Sequence, residues 1–257
     1  MPAPQNRLKA RLAAGEVTHG LWLGLADPYA AEIAATAGFD WLVIDGEHAP
    51  NDIRSLSAQL AVIAPGATDP VIRLPDDDPA KIKQALDIGA QTLLIPMIES
   101  AAQAEAAIAA CLYPPRGRRG VGSALARASR FGAIPDYLLT ADDQICIILQ
   151  VESRAGLEAL DGILGLGRLD AVFIGPSDLA ADMGHPGQPG QPEVRAAVME
   201  ALGRIRRAGK AAGLLSTDPA YIAAAEAAGA TFVGVGIDVT LFAGALRALA
   251  ARHPAAG

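Results

Sequence analysis

The chain runs to 257 residues with a formal net charge of −7, 51% hydrophobic residues and only 4% aromatic ones. An acidic balance of that size argues against nucleic acid as a partner, and no uninterrupted apolar run is long enough to cross a membrane. Residues 1–9 lack the apolar core of a secretion signal, and Cys111 and Cys146 sit in apolar settings that suit free buried thiols, so a soluble cytoplasmic protein is expected.

In chain order, short apolar runs predict strands at 20–25, 41–45, 70–74, 92–96, 145–151, 171–174, 212–215 and 232–236. Between them, Ala-rich patterns predict helices at 28–37, 52–63, 79–88, 101–111, 153–164, 192–208, 219–228 and 240–251. Asp78-Pro79 and Asp218-Pro219 are helix-start signals. Gly38, Gly89, Gly209 and Gly229 stand at helix ends, each leading into a strand. Ala, Leu, Ile, Val and Gly are expected to do the packing. Eight such units in a chain of this length predict an α/β fold, a TIM (β/α)8 barrel formed as one domain over 1–257. A doubly wound open sheet fits less well, because no Gly-rich phosphate fingerprint follows the first strand. The connection 113–132 holds Pro114 and Pro115 and is expected to be an ordered functional loop. Its arginines Arg116, Arg118 and Arg119 read as solvated side chains.

In a barrel, polar residues at strand carboxyl ends converge although they are far apart in sequence. The second strand ends in Asp45-Gly46-Glu47-His48, and His48 is the natural general base there. The plainer alternative has Asp45 capping a turn beside a loop histidine. Arg73 closes the third strand, Gln150 and Glu152 the fifth, Ser177 and Asp178 follow the sixth, and Ser216 follows the seventh. Two carboxylates at one mouth repel unless a cation or proton lies between them. Glu is a poor N-cap, which favours an oxygen-ligand divalent site on Glu152 and Asp178 suited to Mg²⁺, Mn²⁺ or Co²⁺, with open positions for a chelating substrate. None of Lys9, Lys81, Lys83 and Lys210 lies in a strand or at its carboxyl end, which leaves a Schiff-base route without its lysine.

These blocks, WLVIDGEHAPN at 41–51, KIKQALDIGAQTLLIPM at 81–97, YPPRGRRGVGSALARASR at 113–130, LQVESR at 149–154, VFIGPSDLAADMG at 172–184 and VGVGIDVTL at 233–241, resemble the 4-hydroxy-2-oxoheptanedioate aldolase family of metal-dependent (class II) pyruvate aldolases. The resemblance implies a barrel assembled as a hexamer, a trimer of dimers that exchange their terminal helices. It implies that Glu152 and Asp178 bind the divalent metal ion, and that Gln150, Ser177 and the backbone near Asp178 hold pyruvate. His48 would be the base and Arg73 the residue that stabilises the enolate. Asp87, from a neighbouring subunit, would raise the basicity of His48, with Asp45 in support. Trp22, Leu215 and Ile237 would line the aldehyde pocket; Ser177 stands where relatives often have Ala. The implied reaction cleaves a 4-hydroxy-2-oxo acid to pyruvate and an aldehyde, with succinic semialdehyde as the expected product. The rivals are a 2-keto-3-deoxy-rhamnonate-type aldolase, a non-catalytic barrel that binds an oxo acid, and a lyase of CoA thioesters.

Overall fold

The computed structural model describes residues 1–253. The chain opens with helix α1 (Arg7–Ala13) and continues β1 (Thr18–Leu23), α2 (Pro28–Ala35), β2 (Trp41–Asp45), α3 (Ile53–Ile63), β3 (Asp69–Arg73), α4 (Pro79–Asp87), β4 (Thr92–Ile95) and α5 (Ala101–Cys111). After a connection holding a 3-10 turn at Arg127–Ser129 come α6 (Tyr137–Gln144), β5 (Cys146–Val151), α7 (Arg154–Leu164), β6 (Ala171–Ile174) and α8 (Pro176–Asp182). The chain then forms α9 (Pro192–Arg207), β7 (Ala211–Leu215), α10 (Pro219–Ala227), β8 (Ala230–Ile237) and α11 (Asp238–Arg252). All eight strands run parallel, each paired with its sequence neighbours, and β8 returns to β1 to close the barrel. Asp27, Asp78 and Asp218 cap α2, α4 and α10 with Pro in the first turn. Gly38, Gly89, Gly209 and Gly229 all take the left-handed conformation that ends a helix.

Side chains alternate across each strand, so every second residue enters the barrel. The inward columns run Trp41, Val43, Asp45 on β2; Val71, Arg73 on β3; Cys146, Ile148, Gln150 on β5; and Ala171, Phe173 on β6. Each column is apolar below, and three of them end in a polar group at the carboxyl rim. That pattern delivers the site. Packing inside the barrel departs from the expected aliphatic filling. Trp41 stacks on Phe232 with ring centroids 3.9 Å apart, and Trp22 lies 5.4 Å from Phe173. Gly20 makes room, since a Cβ there would fall 2.1 Å from the Trp41 ring.

Three helices, α1, α6 and α8, had no counterpart in the expected elements. The first closes the barrel's amino-terminal end, with Leu8 and Leu12 buried in the inner cluster. The Asn6 amide anchors it by donating to Gln91 O, Thr92 Oγ1 and Gln144 O at 3.0–3.1 Å. The arginine-rich connection corrects a second expectation. Arg119 is not solvated: its side chain is fully buried, 2.7 Å from Asp87 Oδ1 and 4.4 Å above the Tyr113 ring. The connection follows α5, which puts it at the amino-terminal rim. At the chain's other end α11 buries none of its residues, and Leu241, Phe242, Leu246 and Leu249 are exposed. Among the described residues no helix is long and apolar enough to cross a membrane, and both cysteines are free and buried.

Candidate active site at the carboxyl rim of the barrel

Strand register places Asp45 beside Arg73, the last residues of β2 and β3. Arg73 Nε lies 2.9 Å from Asp45 Oδ1 and Nη2 2.6 Å from Oδ2, a two-pronged pair buried from solvent. Its third nitrogen, Nη1, is 2.7 Å from Glu47 Oε2. Below the guanidinium lies the Trp22 ring, 5.2 Å from Arg73 Cζ. Arg73 is therefore fixed on three sides. Asp45 also receives the backbone N–H groups of Glu47 and His48 at 2.9 and 3.3 Å, so it does cap the turn after β2 while holding Arg73. Gly46 is needed in that turn: its N–H donates to Arg73 O at 2.8 Å, and a Cβ would stand 2.6 Å from the same oxygen. The His48 side chain is 65% exposed at the mouth, with Nε2 3.8 Å from Glu47 Oε2.

On the other side of the mouth Glu152 follows β5. Its Oε1 accepts the Met97 N–H at 3.0 Å, and its Oε2 accepts a short bond from the Gln150 amide. Met97 takes the left-handed conformation (φ 56°), uncommon for a residue with a Cβ, and this aims its N–H at the carboxylate. Burial pushes the Glu152 carboxyl up to about 7, with the charges of Asp178 and Glu47 adding to the rise against the two hydrogen bonds. Neither carboxylate is spent on capping. Ser153, not Glu152, caps α7, and Asp178 sits in the first turn of α8 without a side-chain cap bond. Gly175 admits Glu152 to this position, because a Cβ there would lie 2.5 Å from Glu152 Oε2. Gln150 Oε1 is buried without a partner. Ser177 and Asp178 are exposed at the rim. Leu215 and Ile237, half-buried, pack on the aromatic cluster that includes Trp22.

The rim thus brings together Asp45, His48, Arg73, Gln150, Glu152, Ser177 and Asp178, with Trp22, Leu215 and Ile237 beneath and beside them. Asp87 stands apart. It ends α4, and helices of a barrel run opposite to the strands, so within one chain it lies at the opposite rim, paired with Arg119. Two contributors were given no role from sequence: Glu47, a third carboxylate beside the Glu152–Asp178 pair, and Gly175, whose Gly-Pro signal reads as an ordinary turn. Among the described residues no group of three or more His, Cys, Asp or Glu is arranged to hold an ion, so a cation here would rest on the Glu152–Asp178 pair with positions left open. Among the described residues no lysine joins the site. Lys9 is at the amino-terminal end near Ile145 O, and Lys81 is bound to Asp76.

Residues 18–245 match the HpcH/HpaI aldolase/citrate lyase family. The chain is 59% identical to the hydroxypyruvate/pyruvate aldolase of Roseovarius nubinhibens over 95% of both chains. It is 52% identical to the 4-hydroxy-2-oxo-heptane-1,7-dioate aldolase of Escherichia coli, over 98% of this chain and 96% of that one. The crystal structure of an HpcH/HpaI aldolase/citrate lyase family protein from Burkholderia cenocepacia superposes with a TM-score of 0.92 at 40% identity, covering 96% of this chain and 99% of the other.

Proposed function

The chain belongs to the HpcH/HpaI aldolase/citrate lyase family and is an aldolase that cleaves hydroxy-oxo acids; from that premise we propose that it is a divalent-metal-dependent pyruvate aldolase working at the carboxyl rim. The observation that carries the proposal is Glu152, a buried carboxylate pushed up to about 7, facing Asp178 and next to the unpartnered Gln150 Oε1. An anionic pair short of a counter-charge, with an acceptor to spare, fits a hard cation. Glu152 and Asp178 would hold Mg²⁺, Mn²⁺ or Co²⁺, and the ion would supply Lewis acidity toward the ketone oxygen of pyruvate.

The chain's own groups do the rest. Gln150, Ser177 and the backbone near Asp178 bind and orient the oxo acid. Arg73 donates to the ketone oxygen as negative charge gathers there, and Asp45 keeps its guanidinium in plane. His48 removes a methyl proton to give the enolate, which adds to an aldehyde; the reverse path cleaves the 4-hydroxy-2-oxo acid. Trp22, Leu215 and Ile237 form the apolar wall against which the aldehyde packs. Succinic semialdehyde, the fragment released from 4-hydroxy-2-oxoheptanedioate, is the proposed aldehyde, in line with the name of the Escherichia coli relative. Hydroxypyruvate is a second proposed donor, favoured by the name of the Roseovarius relative. A cytoplasmic homo-oligomer, hexameric as a trimer of dimers, is proposed around the single barrel domain. Exchange of α11 between subunits would cover its exposed Leu241, Phe242, Leu246 and Leu249.

The test follows pyruvate alone. Methyl-proton exchange in deuterated buffer should stop after exhaustive EDTA treatment and return on addition of Mg²⁺, Mn²⁺ or Co²⁺. Undiminished exchange in EDTA, or a borohydride-trapped pyruvate adduct, would overturn metal dependence.

A further inference from the structure

We propose that Asp238 is a positioning residue for the acceptor aldehyde: it ties the turn after β1 to the start of α11 and so fixes the apolar wall on which the aldehyde packs. The inference rests on the pyruvate-aldolase reading and concerns its second substrate, leaving the pyruvate side to the groups already named.

Two of the wall residues share one seam. Strand pairing sets Trp22 of β1 beside Ile237, the last residue of β8, and both pack in the inner aromatic cluster. Beyond the seam only Gly24, Leu25 and Ala26 separate β1 from Asp27, the cap of α2. So short a turn has little of its own to offer its backbone donors. Asp238 supplies the acceptors: its Oδ1 takes the Gly24 N–H at 2.7 Å and its Oδ2 the Leu25 N–H at 3.2 Å. Oδ1 also takes the Val239 N–H at 2.6 Å, in the first turn of α11, where the helix N-terminus favours a carboxylate. Turn and helix touch as well, since a Cβ on Gly24 would stand 3.0 Å from Val239 Cγ2. Ala26 is held in the left-handed conformation (φ 55°), which a residue with a Cβ keeps only where its surroundings impose it.

The pyruvate groups hang on other elements. Arg73 ends β3 and is fixed from β2 by Asp45, and Gln150 belongs to β5. Glu152 follows β5 and is held by Met97 and Gln150. Loss of the Asp238 carboxylate frees two backbone donors beside the wall and leaves these contacts whole. The two substrates should therefore respond differently, which a general loss of stability would not produce.

The experiment compares wild type, D238N and D238A, each with Mg²⁺, in two assays. One is pyruvate methyl exchange without aldehyde; the other is aldol addition, at saturating pyruvate, to acetaldehyde, propanal and butanal. Wild-type kcat/KM should rise along the series, by up to about fourfold for each methylene that packs on the wall. D238A should raise the butanal KM about tenfold and flatten the series, with exchange within about twofold of wild type. D238N keeps one acceptor oxygen for Gly24 and Val239 but turns an amide donor on the Leu25 N–H, so it should fall between the two. Both assays are run below the lowest melting temperature, and D238N decides alone if D238A does not fold. A flat series in the wild type, a wild-type series in the variants, or exchange and aldehyde KM impaired in equal proportion would overturn the role of Asp238 and leave the aldolase reading standing. A wild-type protein that exchanges no methyl protons removes both.

Discussion

The two rims of this barrel handle charge in opposite ways. At the amino-terminal rim charges are paired one against another: Lys9 with Asp170, Arg7 with Asp69, Arg11 with Asp40 and Glu16, Arg119 with Asp87. At the mouth of the carboxyl rim Asp45 and Glu47 share one guanidinium, Arg73, while Glu152 and Asp178 add two further carboxylates beside them. A fold selected for stability alone has no use for such an excess, because each buried anion without a partner costs several kcal/mol. The paired rim is architecture. The unbalanced rim stores electrostatic strain that a cation and an anionic oxo acid would relieve.

The largest expected effect comes from Arg73, the guanidinium that Asp45 and Glu47 share at the mouth. Arg73→Ala should lower turnover by about two orders of magnitude or more, as for loss of an oxyanion donor. It also leaves Asp45 buried without its partner, at about 3–5 kcal/mol of stability. Melting and kinetics must therefore be read together, and Arg73→Lys separates them. Lysine keeps the charge beside Asp45 but not the planar two-pronged contact, so it should restore most of the melting temperature and little of the turnover. Near-normal turnover in the lysine variant would make Arg73 a structural residue and the rims more alike.

The barrel itself was legible because parallel strands buried on both faces read as continuous apolar runs, each followed by a helix with a Pro start or a Gly stop. The rim was legible for the same reason: Asp45, Arg73, Gln150 and Glu152 end or directly follow apolar runs, and period-two alternation sends them to one mouth. Seven-residue helices such as α1 and α8 are too short for more than one i, i+4 apolar repeat, and left no such trace. Arg119 reads as solvated from its neighbours, because a cluster of arginines near glycine and proline carries no local sign of burial. What buries it is a pair with Asp87, 32 residues away, and the Tyr113 ring, neither visible as a local pattern. Glu47 carries no signal of its own between Asp45 and His48, and only the turn around Gly46 shows that it faces Arg73.

A smaller effect concerns stability against pH in the chelated protein. The folded-state carboxyl of Glu152 titrates at about 7, above the value of 4.5 for a free glutamate. Between those values the folded chain binds more protons than the unfolded one, so stability from this group falls as pH rises from 4.5 to 7 and stays low above that. Melting of EDTA-treated protein should accordingly improve on moving from pH 8 to pH 5, by up to a few kcal/mol of unfolding free energy. Glu152→Gln, neutral at both values, should flatten the profile, and saturating Mg²⁺ should remove most of the high-pH penalty in the wild type. A flat profile in the chelated wild-type protein would show that the carboxyl rim is no more strained than the other.

The smallest expected effect comes from the one residue able to break the division between rims. Asp87 belongs to the paired rim, yet only its Oδ1 is held by Arg119, and the side chain remains partly exposed. If the rim is purely architectural, Asp87→Asn keeps an acceptor for Arg119 and changes melting slightly and turnover not at all. If, as the family resemblance implies, Asp87 reaches the His48 of a neighbouring subunit, the same change should slow pyruvate methyl exchange by about tenfold, the scale of one charged partner lost to a general base. Mixed oligomers decide between them. Chains carrying His48→Ala have an intact Asp87 to lend, and chains carrying Asp87→Asn have an intact His48 to receive it. Reassembled together after reversible dissociation, they should exchange pyruvate protons faster than the average of the two separate preparations. Failure to complement, together with normal exchange in Asp87→Asn alone, would confine Asp87 to anchoring Arg119. The chemistry would then lie wholly within the carboxyl rim of each chain.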